Sequence, residues 1–356
     1  MEQAGAIVSV AELERFCREA LRKCGLNDAD ARVASDVLVT TDTFGVFTHG
    51  TKALKNYIRR IRAGGLDPNA VPEICGEGPA WAVVDGHSAL AMVTSVFAMN
   101  TAIAKAKTAG IAYVGVRNSC HFGAAGYYAL QAAKAGMIGM AMANDVPSMA
   151  VPGSRKAVLG TNPFAYAVPA GEEDPVFLDI ASSAVAGGKI RIAQTLGQKV
   201  PDTWLVDTEG VPTTDPSTYP HAGSLQPFAG HKGYGIALMI ETLAGALGGA
   251  AMRWDIGGWL DDDPALPTRH GAAFLAFDVG QITPLVVFTK RVDATIRDIR
   301  LTPKAKGADR IRVPGEMEWH KRRIALEKGL DLPEDVRESL RNLAEELGIT
   351  ADWLSI

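Results

Sequence analysis

The 356-residue sequence lacks most of the short motifs that identify an enzyme class directly. No G-x-G-x-x-G segment follows an apolar strand, and the phosphate-loop pattern G-x-x-x-x-G-K-[ST] is missing. The patterns H-E-x-x-H and G-x-S-x-G are also missing. The sequence therefore disfavours a standard Rossmann domain, a P-loop protein, a zinc protease and an α/β-hydrolase.

Cysteine is scarce, with Cys17, Cys24, Cys75 and Cys120 scattered and no C-x-x-C pair. This usage favours reduced thiols in a cytoplasmic protein over disulfides or a zinc site. The seven histidines include no pair at i, i+3 or i, i+4 spacing, so we expect no metal site.

Basic clusters and long apolar runs are missing as well. The net charge is -4, and no basic stretch is interleaved with aromatic residues, so we expect no nucleic-acid partner. Residues 1–10 lack a basic segment followed by an apolar core, and the apolar segment 235–252 is interrupted by Glu241 and several glycines. We therefore expect neither secretion nor membrane insertion.

What is present predicts helices at both ends of the chain. Ser9 and Glu12 form a capping-box pattern, a second helix follows from Asn27 or Asp28, and a third ends at Gly64-Gly65. Two more helices are expected near the C-terminus, over 316–328 and 333–347. We therefore predict a discontinuous helical domain, made of residues 1–76 and 305–356.

The middle of the chain, residues 77–304, alternates short apolar runs with alanine-rich segments, which predicts a mixed α/β domain. The expected strands are 81–86, 110–116, 137–143, 176–179, 272–279 and 285–288.

Two histidines occupy positions suited to chemistry. His121 lies at a turn between the predicted strand 111–116 and a helical segment, with Gly123 and Gly126 leaving room for a ligand. His49 is predicted at the start of the third helix, where the helix dipole disfavours imidazolium, as suits a proton donor. The alternatives are a histidine that only hydrogen-bonds within the fold and a surface N-cap histidine.

Six motifs in a fixed order resemble one family over nearly the whole chain. It comprises the type 2 malate/L-lactate, sulfolactate and ureidoglycolate dehydrogenases, with diketogulonate and piperideine-carboxylate reductases. The motifs are Thr48-His49-Gly50, Arg117-Asn118-Ser119-Cys120-His121-Phe122-Gly123, Gly160-Thr161-Asn162-Pro163, Leu178-Asp179-Ile180-Ala181-Ser182-Ser183, Gly230-His231-Lys232-Gly233-Tyr234-Gly235 and Pro314-Gly315-Glu316.

The resemblance implies an NAD(P)-dependent oxidoreductase of mixed α/β, non-Rossmann fold. A largely antiparallel cofactor-binding sheet flanked by helices would join a helical domain from both termini, usually in a homodimer. His49 and His121 match catalytic positions, and Thr48, Lys52 and Arg117 are the candidate substrate-binding residues. The cofactor-binding candidates are Asn144, Asp145, Thr161, Asn162, Asp179, Ile180, Ala181, Lys232, Gly233, Gly315 and Glu316.

The sequence departs from the family pattern at substrate positions. Ala53 and Asn56 stand where the family commonly has basic residues, so Lys52, three residues after His49, is expected to hold one substrate carboxylate. Asp145 replaces a family serine. If it faces the adenosine ribose it repels a 2'-phosphate, so NAD is expected over NADP.

The predicted reaction is interconversion of a small 2-oxo acid and its 2-hydroxy acid. Reduction of a cyclic imine carboxylate is the alternative, and the sequence does not separate the two. A non-catalytic binding protein on the same fold is a third interpretation.

Overall fold

The computed structural model describes residues 7–354 as a mixed α/β fold; part of the predicted N-terminal unit, residues 1–6, lies outside this range. The helices are Val10–Lys23 (α1), Asp28–Thr43 (α2), Leu54–Ala63 (α3), Ala91–Ala109 (α4), Ala125–Lys134 (α5), Gly187–Thr195 (α6), His231–Ile240 (α7), Val279–Ile282 (α8), Leu285–Leu301 (α9), Glu316–Lys328 (α10) and Glu334–Leu347 (α11).

The strands are Ile7–Val8 (β1), Glu73–Gly78 (β2), Trp81–Asp85 (β3), Ile111–Ser119 (β4), Met137–Ala143 (β5), Met149–Ala150 (β6), Ala157–Leu159 (β7), Phe164–Val168 (β8), Val176–Ile180 (β9), Leu205–Val206 (β10), Pro212–Thr213 (β11), Ser224–Leu225 (β12), His270–Asp278 (β13) and Leu330–Asp331 (β14).

The predicted N-terminal helices are confirmed together with their capping. The Ser9 side chain accepts the backbone N–H of Glu12, and the Glu12 side chain returns to the Ser9 backbone. Asn27 caps α2 by accepting the N–H of Asp30. Helix α3 ends at Gly64, whose φ of 95° is a left-handed conformation that glycine adopts at no steric cost.

A seven-stranded sheet with the order β2-β3-β4-β13-β5-β8-β9 forms the body of the protein. All neighbouring pairs are antiparallel except β3 with β4. Strand β13 lies at the centre, with Ala272, Phe274 and Ala276 in the core cluster that contains residues of α4 and α5. Its alternate residues Ala273 and Leu275 pack against α7 and the π-helical turn that follows it.

One predicted strand is wrong. Residues 285–288 form the first turn of α9, after Pro284 at its N-cap. The apolar run continues at helical spacing through Val292, Ile296 and Ile299, a pattern longer than the four-residue window that suggested a strand.

The two ends of the described chain pack together. Strands β1 and β14 pair antiparallel, and the rings of Phe16 in α1 and Trp353 lie 5.8 Å apart. Helices from both ends share one continuous hydrophobic cluster with the sheet. The domain boundaries at residues 76 and 304 stay a prediction.

A second, five-stranded sheet, β11-β10-β12-β6-β7, was not predicted because its strands have only two or three residues. Across residues 7–354, no helix combines the length and apolar character needed to cross a membrane.

Candidate active site

Three polar side chains gather at one end of the main sheet because of the strand directions. His121 lies two residues beyond β4, Asp145 lies two residues beyond β5, and His270 begins β13. Since β13 runs antiparallel to both neighbours, its start lies beside their ends, and His270 pairs with Ser119. The structure therefore confirms His121 at a strand-to-helix turn.

His121 is held as a neutral imidazole. Burial lowers its pKa well below the ordinary value, and the nearby His49 and His270 lower it further. The Tyr57 hydroxyl lies 2.6 Å from Nδ1, and burial raises the pKa of that phenol well above its usual range. Tyr57 therefore keeps its proton and can donate it to Nδ1, and we assign His121 the tautomer in which Nε2–H is the free end.

His49 faces His121, with 5.5 Å between ring centroids. Its predicted position at the start of the third helix is wrong: His49 ends a short 3-10 turn, Phe47–His49, and α3 begins only at Leu54. The pKa of His49 is lowered by burial, whereas the charge of Asp145 opposes that shift. Burial, and not a helix dipole, therefore favours a neutral His49 ring. The alternative of a surface N-cap histidine does not apply, because His49 ends a 3-10 turn.

Asp42 in α2 shapes the turn that carries His49. Its buried Oδ2 accepts the Thr51 backbone N–H at 3.1 Å and the Thr51 hydroxyl at 2.5 Å. A Cβ on Gly50 would lie 1.8 Å from Oδ1, so only glycine fits beside this carboxyl. The close packing of Asp42 on Gly50 accounts for two short turns in place of a continuous helix.

The Asp42 contact predicts a pH-dependent stability. Burial raises the pKa of Asp42 to about 7. Because this pKa is higher in the folded state than in the unfolded state, the contribution of Asp42 to stability is largest below pH about 4. It is progressively lost as the pH rises to about 7. In urea unfolding, we expect Asp42→Asn to gain stability relative to the parent between pH 5 and pH 8. A difference that is the same at both pH values would contradict this.

Asp145 contacts the buried His270. Its Oδ1 lies 3.1 Å from Nε2 of the buried His270, whose Nδ1 lies 2.9 Å from the Thr268 hydroxyl. Its charge also acts on His49. The carboxylate therefore belongs to the histidine cluster, and a contact with the cofactor ribose stays a prediction.

The two candidate cations are already paired. Lys52 lies in a separate 3-10 turn, not on the His49 face of α3, and its Nζ is 2.5 Å from Asp335 in α11. The Arg117 Nε donates to Asp85 at 3.0 Å. The structure thus contradicts the helix-face argument for Lys52, and Thr48 contacts His49 instead, with Oγ1 2.9 Å from Nδ1.

From this pairing we expect Lys52→Ala to leave the substrate KM within about twofold of the parent and to cost less than about 1 kcal/mol of unfolding free energy. Asp335→Ala, which breaks the same exposed ion pair from the other side, is the matched control. A several-fold rise in KM for Lys52→Ala alone would restore Lys52 as a substrate ligand.

Several cofactor candidates form one continuous strip beside β9. The Ser182 N–H donates to Thr161 O at 2.8 Å, and the Phe228 N–H donates to Ser182 O at 3.0 Å. A Cβ on Gly233 would lie 2.7 Å from Ser182 O, so α7 approaches this strip closely only because glycine stands there. Asp179 and Lys232 are exposed along the strip, whereas Ile180 and Ala181 are half-buried.

The far end of the strip is built on Gly315. Its φ is 87°, and a Cβ there would lie 2.5 Å from the Phe177 ring. The Phe177 N–H donates to Pro314 O at 3.3 Å, which ties this segment to β9.

Three other cofactor candidates use their side chains inside the fold. Asn144 accepts the Gly271 N–H and donates to Ala251 O, each at 2.8 Å. Asn162 donates to Glu241 at 3.0 Å and accepts the Asp145 N–H at 3.1 Å. Glu316 pairs with Arg300 and Arg310. Through these contacts Asn144, Asn162 and Glu316 support their surroundings in the fold, and their part in cofactor binding stays a prediction.

Sequence reasoning missed three residues of the cluster: Tyr57, Trp259 and His270. Tyr57 was counted only as part of an apolar helix face, and Trp259 lies in a loop without a recognisable motif. His270 alone carried a usable signal, a histidine two residues before the predicted strand 272–279. Within residues 7–354, no group of three or more His, Cys, Asp or Glu side chains is arranged to hold a metal ion.

Comparisons with known proteins agree over almost the whole chain. A family model described as malate/L-lactate dehydrogenase matches residues 8–341. A malate dehydrogenase from Pyrococcus abyssi is 34% identical and aligns over 95% of this chain and 94% of its own. The solved sulfolactate dehydrogenase of Methanocaldococcus jannaschii is 34% identical, with a TM-score of 0.89 over 97% of this chain and 98% of that one.

Relatives with other names are similar over the same length. A ureidoglycolate dehydrogenase (NAD(+)) of Escherichia coli is 32% identical and covers 94% of both chains. A Delta(1)-pyrroline-2-carboxylate/Delta(1)-piperideine-2-carboxylate reductase of Pseudomonas putida is 30% identical over 94% of this chain and 96% of its own.

Proposed function

The chain belongs to the malate/L-lactate dehydrogenase family and is an oxidoreductase, and from that premise we propose that it interconverts a small 2-hydroxy acid and its 2-oxo acid with NAD(P). Family membership removes the non-catalytic interpretation. The observation that carries the proposal is the facing pair His49 and His121, 5.5 Å apart, beside Asp145.

The strip along β9 fits a dinucleotide. It offers the Asp179 carboxylate, whose Oδ2 accepts the Gly126 N–H at 2.7 Å and whose other oxygen suits a ribose hydroxyl, and an exposed ammonium on Lys232 suited to phosphate. Gly233 and Gly315 let their segments pack closely on the strip, where a side chain would clash with Ser182 O or with the Phe177 ring. When bound, the nicotinamide supplies or accepts the hydride. A carboxylate beside the ribose opposes a 2'-phosphate, and the NAD(+) in one relative's name agrees, so we favour NAD.

His49 is the group that moves the proton. Asp145 stabilises its imidazolium against the effect of burial, which keeps protonation accessible. His121, neutral and with Nδ1 occupied by Tyr57, presents Nε2–H as a hydrogen-bond donor. We assign His121 to orienting the reacting oxygen and His49 to giving or taking its proton.

Reduction of a cyclic imine carboxylate is the second candidate. The anionic Asp145 lies in the histidine cluster, where it would stabilise a protonated C=N, and both candidate cations are paired elsewhere. One relative's name specifies such an activity.

We further propose a cytoplasmic homodimer. Helix α7 and the turn after it expose Leu238, Met239 and Leu247 at 47%, 42% and 58%. Apolar side chains of this size, exposed together on neighbouring turns, are typical of a subunit contact. Sedimentation of the purified protein tests this part.

Absorbance of reduced nicotinamide, followed across 2-oxo acids, 2-hydroxy acids and cyclic imines with NAD and NADP, tests the function. Turnover of a 2-oxo acid and its 2-hydroxy acid is expected. Turnover of cyclic imines alone would establish the second candidate, and no turnover of any compound would contradict both.

A further inference from the structure

Trp259 lies flat on the imidazole of His121. The ring centroids are 4.0 Å apart and the planes differ by 7°. The Tyr57 ring stacks on Trp259 with centroids 5.4 Å apart, and the Tyr57 hydroxyl reaches His121 Nδ1. One face and one edge of the imidazole are therefore covered by two aromatic residues from distant parts of the chain.

The loop that carries Trp259 is fixed to α3 by Arg60. This buried guanidinium donates to the carbonyls of Trp259, Gly258 and Leu266 at 2.7, 2.6 and 3.0 Å. Tyr57 and Arg60 are three residues apart, so they project from neighbouring positions on one helix face. Helix α3 thus holds His121 in two ways. Tyr57 contacts the edge of the imidazole directly, and Arg60 fixes the loop whose Trp259 covers its face.

We propose that Trp259 is a positioning residue that keeps His121 in one orientation and one tautomer, with Nε2–H presented to the substrate oxygen. An imidazole free to rotate about χ2 would exchange Nδ1 for the opposite ring edge and break the bond from Tyr57. The stacked indole blocks that rotation and keeps water from the covered face. The substrate-facing half of this inference rests on the proposed function.

The electrostatic surroundings of His121 come from every element packed around it. Tyr57 of α3, His49 and His270 of β13 act on His121 itself, while Arg60 of α3 and Asp145 after β5 act on the neighbouring Cys120. Burial is the largest influence on His121, and the two histidines act in the same direction. Opening the Trp259 face to water therefore moves the pKa of His121 upward toward its ordinary value.

The experiment is ¹⁵N NMR of histidine-labelled protein, without substrate, for the parent, Trp259→Phe and Trp259→Leu. His121→Asn assigns the signal, and Trp254→Phe, which changes a 63% exposed tryptophan, is the matched control. We expect separate Nδ1 and Nε2 shifts of one neutral tautomer in the parent and in Trp259→Phe, which retains a flat ring. In Trp259→Leu the two shifts should converge, and protonation should begin at higher pH.

Kinetics supply the second measurement. Trp259→Leu should lower kcat by about tenfold or more, since a misoriented catalytic group is costly, while the KM for cofactor stays within about twofold. The acid limb of the pH–rate profile of Trp259→Leu should move to higher pH, because protonated His121 loses the tautomer that the reaction uses.

The results separate the possible causes. Unchanged nitrogen shifts in Trp259→Leu, or a fall in kcat without any change in the shifts or the pH profile, would overturn the inference. If Trp259→Leu does not fold, a mixture of tautomers in Trp259→Phe or in the parent would overturn it too. A parent inactive on every compound would refute the proposed function, whereas the shifts would still decide the role of Trp259.

Discussion

Replacing His49 with asparagine is expected to lower kcat by about 10² to 10⁴, the usual contribution of a positioned acid or base. Asparagine retains a polar side chain of similar reach, but it does not titrate near neutral pH. Cofactor affinity should stay close to that of the parent, since the strip along β9 is made of other residues. Pre-steady-state hydride transfer and a separate cofactor titration give the two values.

The direction in which the reaction rate changes with pH tests the role of His49 further. In the role proposed for it, His49 must be protonated for reduction, so the rate should fall as the pH rises through the lowered pKa of that residue. Asp145→Asn removes the charge that opposes the lowering of the His49 pKa. The fall in rate of this variant should therefore lie at lower pH than in the parent. His320→Asn, an exposed histidine of α10, is the control and should change neither rate nor profile. If His49→Asn turns over within a few-fold of the parent, the proton passes through another group.

Loss of Arg60 should have the largest effect on folding. Arg60→Ala removes three part-buried hydrogen bonds and leaves the carbonyls of Gly258, Trp259 and Leu266 without this donor. Each unsatisfied group costs roughly 1 to 3 kcal/mol, so we expect a loss of about 3 to 5 kcal/mol after partial relaxation. Urea unfolding followed by circular dichroism measures it.

The neighbouring arginine provides a matched control. Arg59 also donates to the loop, to Leu260 O at 2.7 Å, but its side chain is exposed and water replaces it readily. Arg59→Ala should cost less than about 1 kcal/mol. Equal losses in the two variants would show that the three hydrogen bonds of the buried Arg60 do not determine the stability of this loop.

The sequence predicted best where local rules decide the structure. Capping at Ser9 and Asn27, the glycine end of α3 and the strand β13 all follow from residues within a few positions of each other. The strand expected at 285–288 failed because a short apolar run does not distinguish a strand from the first turn of a helix.

The candidate site was predicted in part. His49 and His121 do lie together, but the predicted helix start at His49 depended on a contact that sequence spacing does not contain. The Asp42 carboxyl, brought across from α2, decides the turn there. The ion pair of Lys52 could not be predicted from sequence spacing either, because its partner Asp335 is distant along the chain. Charges are paired or free according to tertiary structure, and motif spacing does not record that.

The pairing of β1 with β14 has a consequence for the order of events at the ribosome. The first helices leave the exit tunnel long before α11, which packs against α1 and α3 and whose Ser339 hydroxyl donates to Lys52 O beside the His49 turn. The central sheet holds all its strands before then, so it can form while the N-terminal helices still wait for their partners. The turn bearing His49 therefore reaches its final support only after Ser339 has left the tunnel, and nascent chains stalled before residue 330 should lack that support.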